Sequence, residues 1–193
     1  MVELRRYVLV PGRRDDMIAI FERELMETQE ATGMSLLGTF RDLDRPDDFV
    51  WLRGFPDMAV RHDALTEFYS GPAWKEHGPS VRPTMVDTDD VLLLRPAAPG
   101  SGLGPTPLPA VDAAEPGGLV VVRVYPVELA GRAPRGELAS FVTEPAENTF
   151  PALPVCADAS VYVTLDRTAD PRPYDDQAEI ARLAPTARSP LRG

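Results

Sequence analysis

Residues 40–57 read FRDLDRPDDFVWLRGFPD, and the reading of this stretch decides the fold. Two runs of strand-favouring residues, Leu36 to Leu43 and Phe49 to Phe55, flank Asp44-Arg45-Pro46-Asp47-Asp48. That linker consists of turn-formers, so the segment predicts a β-hairpin. Asp57 then provides an N-cap for a helix beginning Met58-Ala59-Val60. On the second strand Phe49, Trp51, Arg53 and Phe55 share one face, and Val50, Leu52 and Gly54 share the other. Both faces are largely apolar, which predicts a sheet covered on two sides.

Before the hairpin, Val2 to Val10 (VELRRYVLV) is β-branched and aromatic with rough alternation, hence a strand. From Arg14 to Thr32 the pattern turns helical: Ile18, Phe21 and Leu25 mark one stripe with Met17 beside it, and Gly33 is the expected stop. After the hairpin a second helix runs from Met58 to about Ser70, with Ala64, Leu65 and Phe68 inward. Gly71-Pro72 breaks it, and Pro72 opens a short further turn through Trp74 and His77. An irregular passage leads to a fourth strand, Val91 to Leu94. The order through Pro96 is β-α-β-β-α-β, that of ferredoxin-like folds.

Residues 98–118 are rich in Ala, Pro and Gly and predict a semi-extended linker between a first domain, residues 1–97, and a second, residues 119–193. The second repeats the first in weaker form. Val122-Arg123-Val124-Tyr125 aligns with Leu4-Arg5-Arg6-Tyr7, and Val161-Tyr162-Val163-Thr164-Leu165 with Val50-Trp51-Leu52-Arg53-Gly54. Arg182-Leu183-Ala184-Pro185 aligns with Leu93-Leu94-Arg95-Pro96. Between Arg132 and Glu137 there is no space for the first helix, and between Thr168 and Glu179 room for at most a short one. The fold class is therefore α+β, tandem ferredoxin-like repeats of which the second has lost most of its helices.

A net charge of −10 over 193 residues argues against nucleic acid or an anionic membrane surface as partner. No apolar run approaches the length of a transmembrane helix. The first strand begins almost at Met1, leaving no room for a targeting peptide. A single cysteine, Cys156, excludes an internal disulfide framework and fits a reducing cytoplasm.

The sequence resembles the NIPSNAP family. The residues that carry the likeness are Leu4-Arg5-Arg6-Tyr7 with Pro11-Gly12-Arg13, the hairpin strands, Phe68-Tyr69 with Gly71-Pro72-Ala73-Trp74, His77, Thr84-Met85-Val86-Asp87 and Val91 to Pro96. It continues more loosely through Phe141 to Pro145, Glu147-Asn148-Thr149-Phe150-Pro151 and Ala184-Pro185-Thr186. The resemblance implies a dimeric α/β-barrel, in which two ferredoxin-like sheets from one chain or two close on each other. Relatives across the wider fold include cofactor-free monooxygenases, isomerases, dehydratases and cyclases of small organic molecules.

Candidate chemistry is sparse. His77 follows Trp74 by one helical turn, so the pair could present a general base beside an aromatic substrate; the alternative is a histidine hydrogen-bonded at a helix end. Arg53 shares a face with Trp51 and Phe55 and could bind a carboxylate or an enolate. The alternative pairs it with Asp42, or with a carboxylate near Arg41, across the hairpin. Tyr69 and Trp74, with Trp51 and Phe55, are candidate substrate-binding residues. Tyr7 and Tyr125 occupy matching places and read as symmetric core residues; His62, beside Arg61 and Asp63, reads as solvated. No metal-ligand spacing is present, the acidic run Asp87, Asp89 and Asp90 lacks the glycine and glutamate of a calcium loop, and Cys156 has no adjacent base.

Two functions compete. One is an enzyme without a cofactor, an oxygenase, isomerase or cyclase acting on a small organic molecule, with His77 as base and Arg53 as anion stabiliser. The other is a non-catalytic small-molecule-binding or assembly module on the same barrel; the two are distinguished by whether His77 and Arg53 converge on a pocket. The second repeat's apolar strand residues (Val120, Val122, Val124, Val161, Val163 and Leu165) have little helix to cover them, which predicts a homodimer unless the loops at 126–137 and 145–159 fold back as a lid.

Overall fold

The computed structural model describes residues 1–130, 133, 135–167 and 177–192. Strand β1 (Val2–Leu9) leads into α1 (Arg14–Ile20), a π-helical segment (Phe21–Leu25) and α2 (Met26–Glu30). The hairpin follows as β2 (Ser35–Asp42) and β3 (Asp48–Gly54), then α3 (Met58–Ser70), α4 (Pro72–Val81), a 3₁₀ turn (Arg82–Thr84) and β4 (Met85–Pro96). Beyond the linker come β5 (Val120–Pro126), a 3₁₀ turn (Val127–Leu129), β6 (Ala139–Thr143), β7 (Val161–Arg167) and β8 (Glu179–Pro185). Helix α3 has the expected bounds, and the Asp57 carboxylate accepts from the Val60 amide at 2.8 Å, the N-cap the sequence predicts.

The eight strands close a barrel in the order β1-β3-β2-β8-β5-β7-β6-β4, with antiparallel pairing throughout. Within each half the neighbour order is the same: fourth strand, first, third, second. The seams between halves are short, joining Phe40, Arg41 and Asp42 to Pro185, Ala184 and Leu183, and Leu94, Arg95 and Pro96 to Thr143, Val142 and Phe141. Alternation along each strand sorts side chains into the barrel or onto its outside. Val2, Leu4, Val50, Leu52, Leu92 and Leu94 meet Val120, Val122, Phe141, Val163 and Leu165 inside. This core fills the barrel, and the space left between Leu4, Arg6, Val50 and Val122 is about 10 Å³, less than a ligand needs. Gly38 helps the fit, since a Cβ there would lie 2.6 Å from the Phe40 ring.

On the outside of the first half, Trp51, Phe49 and Phe55 pack beneath the helices with Met17, Phe21, Leu25 and Phe68. The hairpin strand is thus covered on both faces, as its sequence predicts.

Several expectations need correction. The helix expected over 14–32 is interrupted by the π-helical segment. The turn after Pro72 is a ten-residue helix, α4, which continues through Pro79. The fourth strand starts at Met85, not Val91: residues 85–90 pair with β1 through register shifts, Asp87 and Asp89 stay exposed, and the half-buried Asp90 pairs with Arg6 on the barrel side of β1. Arg61, expected on a polar helix face, is fully buried. The uncovered face behind the homodimer expectation is also absent. Val120, Val122, Val124, Val161, Val163 and Leu165 all point into the barrel and meet the first half of the same chain. Outside, Tyr125 and Tyr162 pack with Leu129, Ala130 and Ala133 of the following loop. The short helix expected between Thr168 and Glu179 falls on residues 168–176, outside the described residues. The linker lies against the body, with Leu103 on the barrel core and Leu108 on the helical one.

Candidate functional site

Strand β1 alternates, so Glu3, Arg5 and Tyr7 all point out under the helices while Leu4 points in. Antiparallel pairing sets Arg53 of β3 opposite Glu3, and Trp51 opposite Arg5. Helix α3 then lowers Arg61 onto the same carboxylate. Glu3 accepts from Arg5 Nη1 at 2.7 Å and Arg53 Nε at 2.7 Å through Oε2, and from Arg61 Nε at 2.6 Å through Oε1. All four side chains are fully buried. Three guanidiniums face one carboxylate, and no other carboxylate pairs with them among the described residues, so two positive charges are in surplus. Burial alone would raise the Glu3 pKa, but the three arginines outweigh it and hold the carboxyl far below its ordinary range. Arg5 is likewise held charged, because the Glu3 carboxylate overcomes the cost of its burial.

The remaining donors are only partly satisfied. Arg53 Nη1 reaches Gln29 Oε1 at 3.3 Å and Met34 Sδ at 3.6 Å, and Arg61 Nη1 reaches Asn148 Oδ1 at 3.0 Å. The Nη2 atoms of Arg5, Arg53 and Arg61 have no hydrogen-bond partner. Aromatic rings take part of the load: the Arg5 guanidinium lies 5.4 Å from the Tyr7 ring centre and 5.6 Å from Trp51, and that of Arg53 lies 5.0 Å from Trp51 and 5.5 Å from Phe55.

Arg5 Nε donates to the Tyr7 hydroxyl at 3.0 Å. Tyr7 in turn forms part of the wall of a cavity of about 330 Å³, together with Tyr69, Trp74, Arg82, Phe150 and Leu153. That volume is at the lower end for small-molecule sites. Burial pushes the Tyr7 phenol pKa up, against the pull of Arg5, so the group keeps its proton. Tyr69 and Trp74 meet edge to face at 4.9 Å between ring centres, and Tyr69 stacks on Phe150 at 6.0 Å.

Phe150 and Leu153 come from the second half, on the loop between β6 and β7. Three hydrogen bonds seat this loop on α3: Arg61 to Asn148, Thr149 Oγ1 to the Met58 carbonyl at 3.2 Å, and His62 Nδ1 with the Thr149 carbonyl at 2.8 Å. Asn148 Oδ1 also accepts from the Phe150 amide at 3.0 Å, which fixes the aromatic ring over the cavity.

The expected site residues therefore separate. Tyr69 and Trp74 line the cavity. Trp51 lies behind it, in a gap of about 20 Å³ shared with Tyr69 and Trp74. Arg53 and Phe55 are buried, and the partner of Arg53 is Glu3 on β1, not Asp42 or another hairpin carboxylate. His77 is half-buried beside Glu24 at 3.6 Å, and neither it nor Arg53 is part of the cavity wall. His62 is exposed, as expected. Residues missed from sequence are Glu3, Arg5 and Arg61, together with Tyr7, which was read as core, and Phe150 on its loop. A signal existed: Glu3 and Arg5 alternate on one face of β1, interleaved with apolar Val2 and Leu4, although Arg6 adds a third charge to the strand. Among the described residues no group of three or more His, Cys, Asp or Glu side chains converges as metal ligands would.

Comparisons with known proteins agree with this architecture. Curated proteins returned no sequence match. Among solved structures, a NIPSNAP-like domain protein from Burkholderia xenovorans is 28% identical, with 54% of this chain and 90% of that one covered and a TM-score of 0.47. A NIPSNAP family protein of unknown function from Agrobacterium tumefaciens is 21% identical over 47% of this chain and 81% of its own, at a TM-score of 0.43. A Lactobacillus acidophilus protein provisionally named a monooxygenase aligns over 97% of this chain and 96% of its own, at 13% identity and a TM-score of 0.55. That alignment shows a shared fold over nearly the whole length. The sequence model of the NIPSNAP family matches residues 2–99, which hold β1 to β4 and the buried charge cluster, and the chain belongs to the NIPSNAP family.

Proposed function

We propose that this protein binds and transforms a small organic molecule in the aromatic cavity, through an enolate or phenolate form of the substrate and without a cofactor of its own. The observation that carries this reading is the Tyr7 hydroxyl in the cavity wall, backed by Arg5 at 3.0 Å and by the surplus positive charge behind it. Because the hydroxyl accepts from Arg5, its own proton is free to point at a ligand oxygen. Negative charge developing on that oxygen is stabilised by a donor already in place, in a site where burial strengthens the interaction. Oxygenase, isomerase and cyclase reactions of conjugated ketones and phenols share such an oxyanion. Tyr69, Trp74 and Phe150 would hold a flat substrate body against it.

The two halves, with one strand order, read as tandem ferredoxin-like repeats. The second has given up helical cover and supplies the loop that completes the first half's cavity. A second reading, binding without turnover, is favoured by one observation: among the described residues no histidine or carboxylate is part of the cavity wall, so none of them offers a side-chain base.

Mass spectrometry of the freshly purified protein under native and then denaturing conditions tests both. A retained small molecule, lost on Trp74→Ala, is the expected result; converted product on incubation selects the enzyme, and unchanged ligand selects the binding module. No retained molecule, and no binding from a library of flat ketones and phenols, would sink both.

A further inference from the structure

Among the described residues one charged side chain is part of the cavity wall, Arg82 in the 3₁₀ turn after α4. Its guanidinium carbon lies 5.3 Å from the centre of the Trp74 ring. It has no ion-pair or hydrogen-bond partner among the described residues, although acids outnumber bases in this chain by 30 to 20. Stacking over an indole fixes the plane of a guanidinium while leaving its N–H edge free, which is the geometry that takes a carboxylate in two parallel hydrogen bonds. A second observation is independent of the first. The Tyr7 part of the wall is backed by Arg5, one of three buried guanidiniums sharing a single carboxylate. Both features make the cavity positive, and among the described residues no carboxylate lines it to offset them.

We propose that the ligand of this cavity is a small organic anion, a planar aromatic or conjugated carboxylate, whose charged end is held by Arg82 and whose flat body lies among Tyr69, Trp74 and Phe150. The proposal rests on the cavity being the functional site, and it narrows the substrate from small organic molecules at large to organic acids. Arg82 is then the specificity-determining residue, while Tyr7 addresses an oxygen elsewhere on the same molecule. Arg82 is exposed, so the pairing is also sensitive to ionic strength.

Calorimetric titration with matched pairs of probes, cinnamate against cinnamamide and naphthoate against naphthamide, separates charge from shape. The full-length protein is expected to bind each acid about tenfold or more tightly than its amide, the scale of one charged hydrogen-bonded contact. Arg82→Met keeps the stem over Trp74 and removes the charge: the preference for the acids should vanish, with amide affinity and melting temperature unchanged. Arg82→Lys should retain part of the preference. Equal binding of acid and amide, or an acid preference that survives in Arg82→Met, overturns the anion assignment and leaves the cavity reading in place. Binding of neither acid nor amide overturns this inference, while the cavity reading stands or falls with the retained molecule and the library of ketones and phenols.

Discussion

Glu3 is the single counter-charge to three buried arginines, and its removal is the most informative single substitution in the protein. Glu3→Gln preserves shape and leaves three guanidiniums uncompensated at zero exposure. Breaking a buried ion pair from one side costs about 3–5 kcal/mol, a large fraction of the stability of a domain. A denaturant midpoint close to that of the unmodified protein would show that the carboxylate is dispensable. The same group sets a pH dependence. Its folded pKa lies below the ordinary 4.5, so the stability it contributes is complete above that value and is lost as pH falls toward the folded pKa. Glu24, Glu27 and Asp44 are shifted in the same direction by their arginine partners and lose stability in the same acid range. Midpoints measured from about pH 6 down to pH 3 should therefore fall in both proteins, and less steeply in Glu3→Gln, which lacks one of these protons. Buried charge of this kind is a poor source of stability compared with apolar packing. Its presence in β1 fits a cluster kept for its field at Tyr7.

The loop between β6 and β7 does for the first half what a helix would otherwise do. Asn148 ties it down by accepting from both Arg61 and the Phe150 amide, while its own amide group donates to the Leu153 carbonyl at 2.9 Å. Asn148→Ala leaves Arg61 without this acceptor and frees Phe150. The expected cost is about 1–3 kcal/mol, with faster proteolysis within residues 144–156 and weaker ligand binding. Protease resistance equal to the parent protein would show that the loop is held by other contacts. Helix α4 gives the opposite case. His77 pairs with Glu24 with both side chains over a quarter exposed, so His77→Ala should change stability by less than about 1 kcal/mol. Ligand affinity should also be unchanged, and a marked loss of either would return His77 to the site. The sequence offered Tyr69 and Trp74 as binding residues and both line the cavity, while His77, one helical turn from Trp74, does not. The sequence could not place Phe150, since what brings that residue over α3 is a contact 87 positions away in the chain, between Arg61 and Asn148. Arg61 was misread for the same reason: a helix surface position looks polar until a carboxylate from another strand is known to lie beneath it.

At the scale of the whole molecule a sheet covered on both faces and a second half repeating the strand pattern of the first were legible from the residues, while closure into a barrel was implied only by the family resemblance. Which layer would hold the site was not legible, as Val50 and Trp51 offer equally apolar faces. The core of Val2, Leu4, Leu52, Leu92 and Leu94 is covered by the second half, with Leu103 of the linker. Residues 1–97 produced alone should therefore associate through this face, and light scattering should give two chains for the fragment and one for the full-length protein. A monomeric fragment with a native-like melting transition would refute this, and a two-chain mass for the full-length protein would restore the homodimer on some other surface. The closure of the barrel also has a temporal side. Strand β2 forms its hairpin within a few residues of β3, but its other edge waits for β8, and Thr39 meets Thr186 across 147 positions. Contacts so distant in the chain close late and slowly. During synthesis the first half emerges with its inner face bare, long before the segment that will cover it leaves the ribosome. The bare face is therefore expected to be exposed to chaperones or to a second nascent copy for as long as β8 is delayed.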